Sequence, residues 1–248
     1  MTQYTFIDAD SLLYKCAYGD KTTEKLMRER WVQKLEWIKM NTWADEIRVA
    51  IKGRNNFRDT LDPEYKAQRP ALEEGMRKRL NYIAHYAIQL GAVQCDGWEA
   101  DDQVVAWAYE VDKEGHGYTI AAIDKDILQY PGNHYNYGGT AKKKIPEDDR
   151  WVFTSPDEGY MRFCCQLLTG DTVDNIKGIT KVGPVKAKKA LDGLTHNNMM
   201  KQVCEMYKVE FGTDWERKLH VNCNLIYMRR WPEDEFLYKE HLTDAWLK

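Results

Sequence analysis

Four short apolar runs, YTFI, IRVAI, AVQC and YTIAAI, alternate along the chain with stretches in which apolar residues recur every three or four positions. This alternation constrains the fold more than any other feature. A run too short for a helix reads as a strand, and strands separated by amphipathic helices pack as a mostly parallel sheet with helices on its faces, an α/β arrangement. One predicted helix runs from about Thr22 to Trp43, with Met27, Trp31, Leu35 and Ile38 on its apolar side. Another carries Leu72, Met76, Leu80, Ile83, Ala87 and Leu90 and stops at Gly91; a third spans Glu99 to Val111. Ser11 is placed to cap a helix directly after the first strand. HYNYG and WVFT predict two more strands, with Lys142, Lys143 and Lys144 as a solvated hairpin between them, and from Ser155 onward the pattern is almost wholly helical. The polar stretch GRNNFRDTLDPEYKAQRP has no period and predicts a loop. The sharpest change of character falls near Gly170, which divides the expectation into an α/β domain over 1–170 and a helical region over 171–248.

The carboxylates are placed unevenly. Asp8 ends the first strand, with Asp10 just after it; Asp124 ends YTIAAI, with Asp126 two residues on; Glu99, Asp101 and Asp102 open the helix after AVQC; Asp171 and Asp174 follow Gly170. The carboxyl ends of strands in an open α/β sheet line one edge, and ligand sites form there. Glu99 and Asp102 share a helical face at i, i+3. Gathered acids repel one another and take up protons unless cations balance them. Oxygen donors without His or Cys favour Mg²⁺ or Mn²⁺, and two such ions suit hydrolysis of a phosphodiester. Singly, each cluster has an ordinary explanation: acids in a first helical turn suit the macrodipole, and Asp124 or Asp126 alone can cap a helix. It is their common placement that points to a site.

The 248 residues, 43% of them hydrophobic, are enough for one substantial core and a smaller appendage. Neither a long apolar run nor a signal-type start is present, so no membrane is expected and the expected location is cytoplasmic. Six scattered cysteines without a Cys-x-x-Cys pair read as reduced, buried thiols, and zinc is set aside because His220 and Cys223 have no second pair. The net charge of −3 includes the nine clustered acids, so the remaining surface is basic enough to attract phosphate.

FIDADSLLY, GWEADD, IDKD and GDTVDNIKGITKVGPVKAKKAL, in that order, resemble the motifs of the 5′-nuclease superfamily: flap endonucleases, the 5′-nuclease domain of bacterial DNA polymerase I and phage 5′-to-3′ exonucleases. The small size is most similar to the phage branch. The resemblance implies a PIN-like nuclease domain, a helix-three-turn-helix DNA-binding element and two divalent ions, Mg²⁺ or Mn²⁺. Asp8, Glu99, Asp101 and Asp102 would serve the first ion or its waters, and Asp124, Asp126, Asp171 and Asp174 the second. Lys66 would contact the scissile phosphate and Arg69 would help hold it; a solvated basic face is the ordinary alternative. Tyr14 matches a base-stacking position, with a core role as its alternative, and Arg58 matches a basic position facing DNA. Gly183 and Pro184 predict a helix start whose backbone N–H groups hold a phosphate, with charge from Lys181, Lys186, Lys188 and Lys189. The family also holds K⁺ at this turn. Implied partners are duplex DNA with a 5′ end, overhang or flap, and RNA–DNA hybrids, met by a monomer in replication or degradation of DNA, in the host cytoplasm for a phage-encoded chain.

Two features depart from the family. Where another metal-associated Asp is usual, the strand reads VAIKGRNNFR, so that Lys52 brings an ammonium to the acidic pocket. Natural variation offset by Asp10, a slipped alignment and a substitution that silences cleavage all stay open, which makes a DNA-structure-binding protein without cleavage one rival reading. A PIN-type ribonuclease is the other. The second departure is a short arch near 54–75, since the periodic helix fills most of the interval from Arg69 to Glu99; threading of a single strand and an open clamp acting from a duplex end both stay open.

Overall fold

The computed structural model describes residues 1–19, 21–139 and 143–243, so Lys142 of the expected hairpin lies outside the described residues. A six-stranded sheet forms the centre, built from β1 (Gln3–Asp8), β2 (Glu46–Lys52), β3 (Val93–Cys95), β4 (Gly117–Ala122), β5 (Gly132–Asn136) and β6 (Trp151–Thr154). Their spatial order is β3-β2-β1-β4-β5-β6, with all neighbours parallel except the antiparallel pair β5 and β6. The expected mostly parallel α/β sheet is therefore present.

Alternation along the strands sorts side chains to the two faces. Ile7, Val49, Ile51 and Ala121 join one core with α1 (Asp10–Ala17), α2 (Glu24–Asn41) and α4 (Glu74–Gln89). Phe6, Ala50, Ile120 and Ala122 face the other way onto α5 (Ala100–Lys113), through Val104, Val105, Ala108 and Val111. Helix limits differ from the sequence reading at their ends. The first helix starts at Asp10 after Ala9, without a side-chain cap, so Ser11 lies inside it. Leu72 stays exposed ahead of α4, and α3 (Phe57–Leu61) interrupts the expected loop.

The helical region has a core of its own. It is formed by α6 (Pro156–Thr169), α7 (Pro184–Leu191), α8 (His196–Phe211) and α9 (Trp215–Ile226), with Leu167, Leu191, Met200, Val203, Tyr207, Leu219 and Cys223 fully buried. Packing places α6 with these helices, upstream of the expected division at 170. A tight hairpin, β7 (Gly170–Asp171) and β8 (Ile176–Lys177), leads out of α6. A β-carbon on Gly178 would lie 2.3 Å from the Gly170 nitrogen, and Gly170 itself has φ +67°, so only glycines allow the strands this close. This closeness fixes the loop that carries Asp171 and Asp174. All six cysteines are free thiols.

Candidate active site

The chain reverses direction across the sheet between β1 and β4: β2 and β3 lie to one side of β1, and β4, β5 and β6 to the other. Such a switch point leaves a crevice at the carboxyl ends of the strands. Asp8 closes β1 there, Asp124 follows β4, and the start of α5 brings Glu99 and Asp101 over the same edge. Their charges meet. Asp8 is pushed up to about 8 by burial, then by the charges of Asp10, Asp124 and Glu99. Asp101 is held well above its ordinary value by burial and by Asp102, Glu99 and Asp8, and Asp10 is raised by burial and Glu99, although the backbone N–H of Lys52 donates to its carboxylate at 2.6 Å.

A second acidic group adjoins the first through Asp124. The Asp126 N–H donates to the Asp124 carboxylate at 3.0 Å, while burial and the charges of Asp124 and Asp171 push Asp126 up to about 6. Asp126 and Asp171 line a cleft of about 900 Å³ that also takes in Gly183, Pro184 and Lys188. Acids and lysine-rich turn thus share one cavity. Lys181, Gly183, Lys186, Lys188 and Lys189 are exposed; Gly183 caps α7 with Pro184 in its first turn, and the Lys186 ammonium donates to the Lys181 carbonyl at 3.0 Å.

The segment after β2 folds down onto these acids. Lys66 places its ammonium 2.5 Å from Glu99 and 3.5 Å from Asp174, and Arg69 lies 2.6 Å from Asp174. Burial alone would raise Glu99, but Arg58 and Lys66 outweigh it and hold the carboxyl below its ordinary value. Lys66 has φ +56°, a left-handed backbone uncommon for a side chain of this kind, secured by its N–H donating to the Asp174 carbonyl at 3.0 Å. Tyr65, which sequence reasoning missed, donates to Glu99 at 2.9 Å and sits 3.2 Å from Asp174. Only its position beside Lys66 in PEYKAQR hinted at this.

Two expected site residues take other tasks. Asp102 is completely buried and accepts from Arg58 at 2.5 and 2.9 Å, from the Glu99 N–H at 3.0 Å and from the Arg229 N–H at 2.9 Å. With its oxygens so committed, Asp102 closes the capping box of α5. Arg58, expected to face DNA, is 2% exposed; besides Asp102 it donates to the carbonyls of Leu225 and Tyr227. It ties α3 and α5 to the C-terminal end of α9. Tyr14 is 47% exposed on α1, which rules out the core alternative and leaves its ring accessible.

Among the described residues no three acidic, His or Cys side chains stand in an ion-holding arrangement as placed, and Lys66 and Arg58 supply the positive charge instead. The donor chemistry nevertheless fits hard divalent ions, because Asp8, Asp10, Asp101, Asp124, Asp126 and Asp171 offer only oxygen and several are under mutual repulsion that added positive charge relieves. The sign of the pH dependence follows. Carboxyls raised in the folded state favour folding below their ordinary range and withdraw that support as pH rises through about 6 for Asp126 and about 8 for Asp8. Chelated protein is expected to lose thermal stability from pH 5 to pH 8, and Mn²⁺ or Mg²⁺ to raise Tm more at pH 8 than at pH 5. Equal gains at both pH values, read by differential scanning fluorimetry, would count against ion binding here.

Comparison with known proteins gives the site a context. The family profile described as 5′-3′ exonuclease, N-terminal resolvase-like domain, matches residues 3–150. A DNA polymerase I of Rhizobium leguminosarum is 33% identical over 142 residues, 55% of this chain and 14% of that protein. A 5′-3′ exonuclease of Buchnera aphidicola subsp. Schizaphis graminum is 28% identical over 141 residues, 55% of this chain and 48% of that one. The chain therefore spans about half the length, or less, of these relatives. The crystal structure of T5 D15 protein with metal ions superposes at TM-score 0.70 and 13% identity, covering 93% of this chain and 91% of that one. The T5 D15 flap endonuclease in a pseudo-enzyme-product complex with DNA and metal ions gives TM-score 0.70 at 15% identity, over 99% and 98%. These structures share the fold.

Proposed function

The chain belongs to the 5′-3′ exonuclease family, and from that membership we propose that it hydrolyses DNA phosphodiesters near 5′ ends, leaving a 5′-phosphate and a 3′-hydroxyl. The observation that carries this reading is the cavity shared by Asp126, Asp171 and the Gly183-Pro184 start of α7, which puts a grip for a phosphate backbone beside the acids. Asp8, Asp10, Glu99 and Asp101 would hold one divalent ion, Mg²⁺ or Mn²⁺, and Asp124, Asp126, Asp171 and Asp174 a second. When bound, such ions polarise a phosphate and make water acidic enough to attack it. The protein's own groups do the rest. Lys66 offers its ammonium to negative charge gathering on the phosphate, Arg69 holds the neighbouring oxygens, and Tyr65 orients Glu99 by its hydrogen bond. Lys181, Lys186, Lys188 and Lys189 hold duplex DNA without reading sequence, and the exposed Tyr14 ring offers a base a stacking surface. A K⁺ ion at the turn would compete with the Lys186 ammonium for the Lys181 carbonyl. Substrates extend on this reading to overhangs, flaps and RNA–DNA hybrids, handled by a monomer. No helix among the described residues is long and apolar enough to cross a membrane.

A 5′-labelled overhang duplex titrated with Mg²⁺ and Mn²⁺ tests the reading: short 5′-labelled products and their loss with EDTA are expected. Binding without cleavage in either ion would favour the rival of a DNA-structure-binding protein, and preference for single-stranded RNA would favour a PIN-type ribonuclease. One observation gives the first rival substance. Lys52 ends β2 with its backbone on Asp10 and its charge felt by that carboxylate. Replacing it, Lys52→Asp, is expected to raise the Mg²⁺-dependent rate several-fold, and an unchanged rate would show that the ammonium does not restrain cleavage.

A further inference from the structure

A concentration of charge of the opposite sign lies in the groove between α1 and α2. Lys15 stands in the last turn of α1, and Arg30 and Lys34 stand one helical turn apart on α2, so that all three line a cavity of about 400 Å³ with Trp37 as its aromatic wall. Arg150 approaches the same wall, its guanidinium carbon 5.0 Å from the Trp37 ring centre. Lys34 is the most exceptional member. Its ammonium sits 3.4 Å from that ring centre, and among the described residues it has neither a hydrogen-bond nor an ion-pair partner. Lys15 donates to the Gly139 carbonyl at 3.2 Å, and Arg30 to the carbonyls of Cys16 and Tyr18. Glu147, the carboxylate felt by Lys34, is 56% exposed and already paired with Arg150 at 3.1 Å. Burial, then Lys15 and Arg150, push Lys34 down to about 8, and burial with Arg150 lowers Lys15 as well. Four half-buried cations pressed together against one carboxylate make a place that gains from an anion.

We propose that this groove binds a phosphate group, and that the group is the terminal 5′-phosphate of the strand being cut. The proposal takes its source of phosphate from the nuclease reading above. Lys15 follows Asp10 by five residues on the same helix, about 7.5 Å along its axis, which is roughly two nucleotide steps of a stacked strand. A terminal phosphate held there would set the strand end at a fixed remove from the acids. It carries more charge than an internal diester, which suits a pocket with several cations.

Two measurements separate the pocket from the nuclease reading. In the first, inorganic phosphate is titrated into the full chain and followed by ³¹P line broadening and Tm. Saturable binding is expected for the unaltered protein, weakened roughly tenfold in Lys34→Gln and in Lys15→Gln, as for the loss of one charge-assisted contact. In the second, two duplexes that differ only in a 5′-phosphate or a 5′-hydroxyl are compared in cleavage. The phosphorylated end is expected to show a KM lower by about tenfold, a difference that disappears in Lys34→Gln while kcat on the hydroxyl end is kept. Phosphate binding that both variants retain, or none at all, overturns the pocket. Binding lost in the variants together with equal KM for the two ends overturns the assignment to a 5′ terminus. Binding lost in the variants from a protein that cuts neither duplex supports the pocket and fells the nuclease reading alone.

Discussion

Lys66→Ala is expected to lower kcat on a 5′-labelled overhang duplex by on the order of 10²- to 10³-fold, with duplex affinity nearly unchanged. The size follows from its position. Lys66 is a cation set between Glu99 at 2.5 Å and Asp174 at 3.5 Å in a site where burial limits solvent screening, and a positive group fixed where charge accumulates is worth far more than one in water. Its effect should appear in kcat, because the lysine-rich turn proposed to grip the duplex is separate from it. Lys66→Arg keeps the charge but not the compact ammonium and should recover only part of the rate. A Lys66→Ala protein that cuts within a few-fold of the original rate would remove this residue from the chemistry.

The second large effect concerns stability. Arg58→Met is expected to destabilise the fold by roughly 3–5 kcal/mol, because it leaves the Asp102 carboxylate buried without its partner. For a chain of this length that is a fall in Tm on the order of 10 °C. Asp102→Asn should do similar damage, and the double replacement Arg58→Met with Asp102→Leu should recover only part of the loss, since it removes the unpaired buried charge but leaves the Leu225 and Tyr227 carbonyls and the Glu99 and Arg229 N–H groups without these partners. Measured well below the melting transition, DNA affinity should stay the same. A large loss of affinity without loss of stability would return Arg58 to the DNA-facing role that its motif suggests.

These two residues mark where sequence reasoning succeeds and where it stops. The strands and the convergence of Asp8, Asp124 and the start of α5 on one sheet edge were legible, because each rests on apolar runs whose ends are local facts. The same holds for the Gly183-Pro184 helix start. The order of the strands, and with it the switch point between β1 and β4, was not legible, because it depends on pairings between distant segments. The capping task of Asp102 was not read, although the spacing of Glu99 and Asp102 is that of a capping box and was available as a sign. Arg58 offered no sign, since its partners Asp102, Leu225 and Tyr227 lie 44, 167 and 169 residues away. Nor does a segment without period disclose that it will fold back: Gln68 and Asn175 pair at 2.7 Å, Asn175 donates to the Glu64 carbonyl at 2.9 Å, and together they fasten the expected arch to the β7–β8 loop.

The pairing of β1 with β4 brings together Gln3 to Ile7 and Gly117 to Ala121, residues separated by more than a hundred positions. Contacts so distant form late, after loop closure has been met elsewhere. Asp171 and Asp174 are synthesised later still, with the helices that hold them. On the proposed nuclease reading, a nascent or partly assembled polypeptide therefore has no complete acidic site: the site waits both for β1 to meet β4 and for the hairpin that carries Asp171 and Asp174.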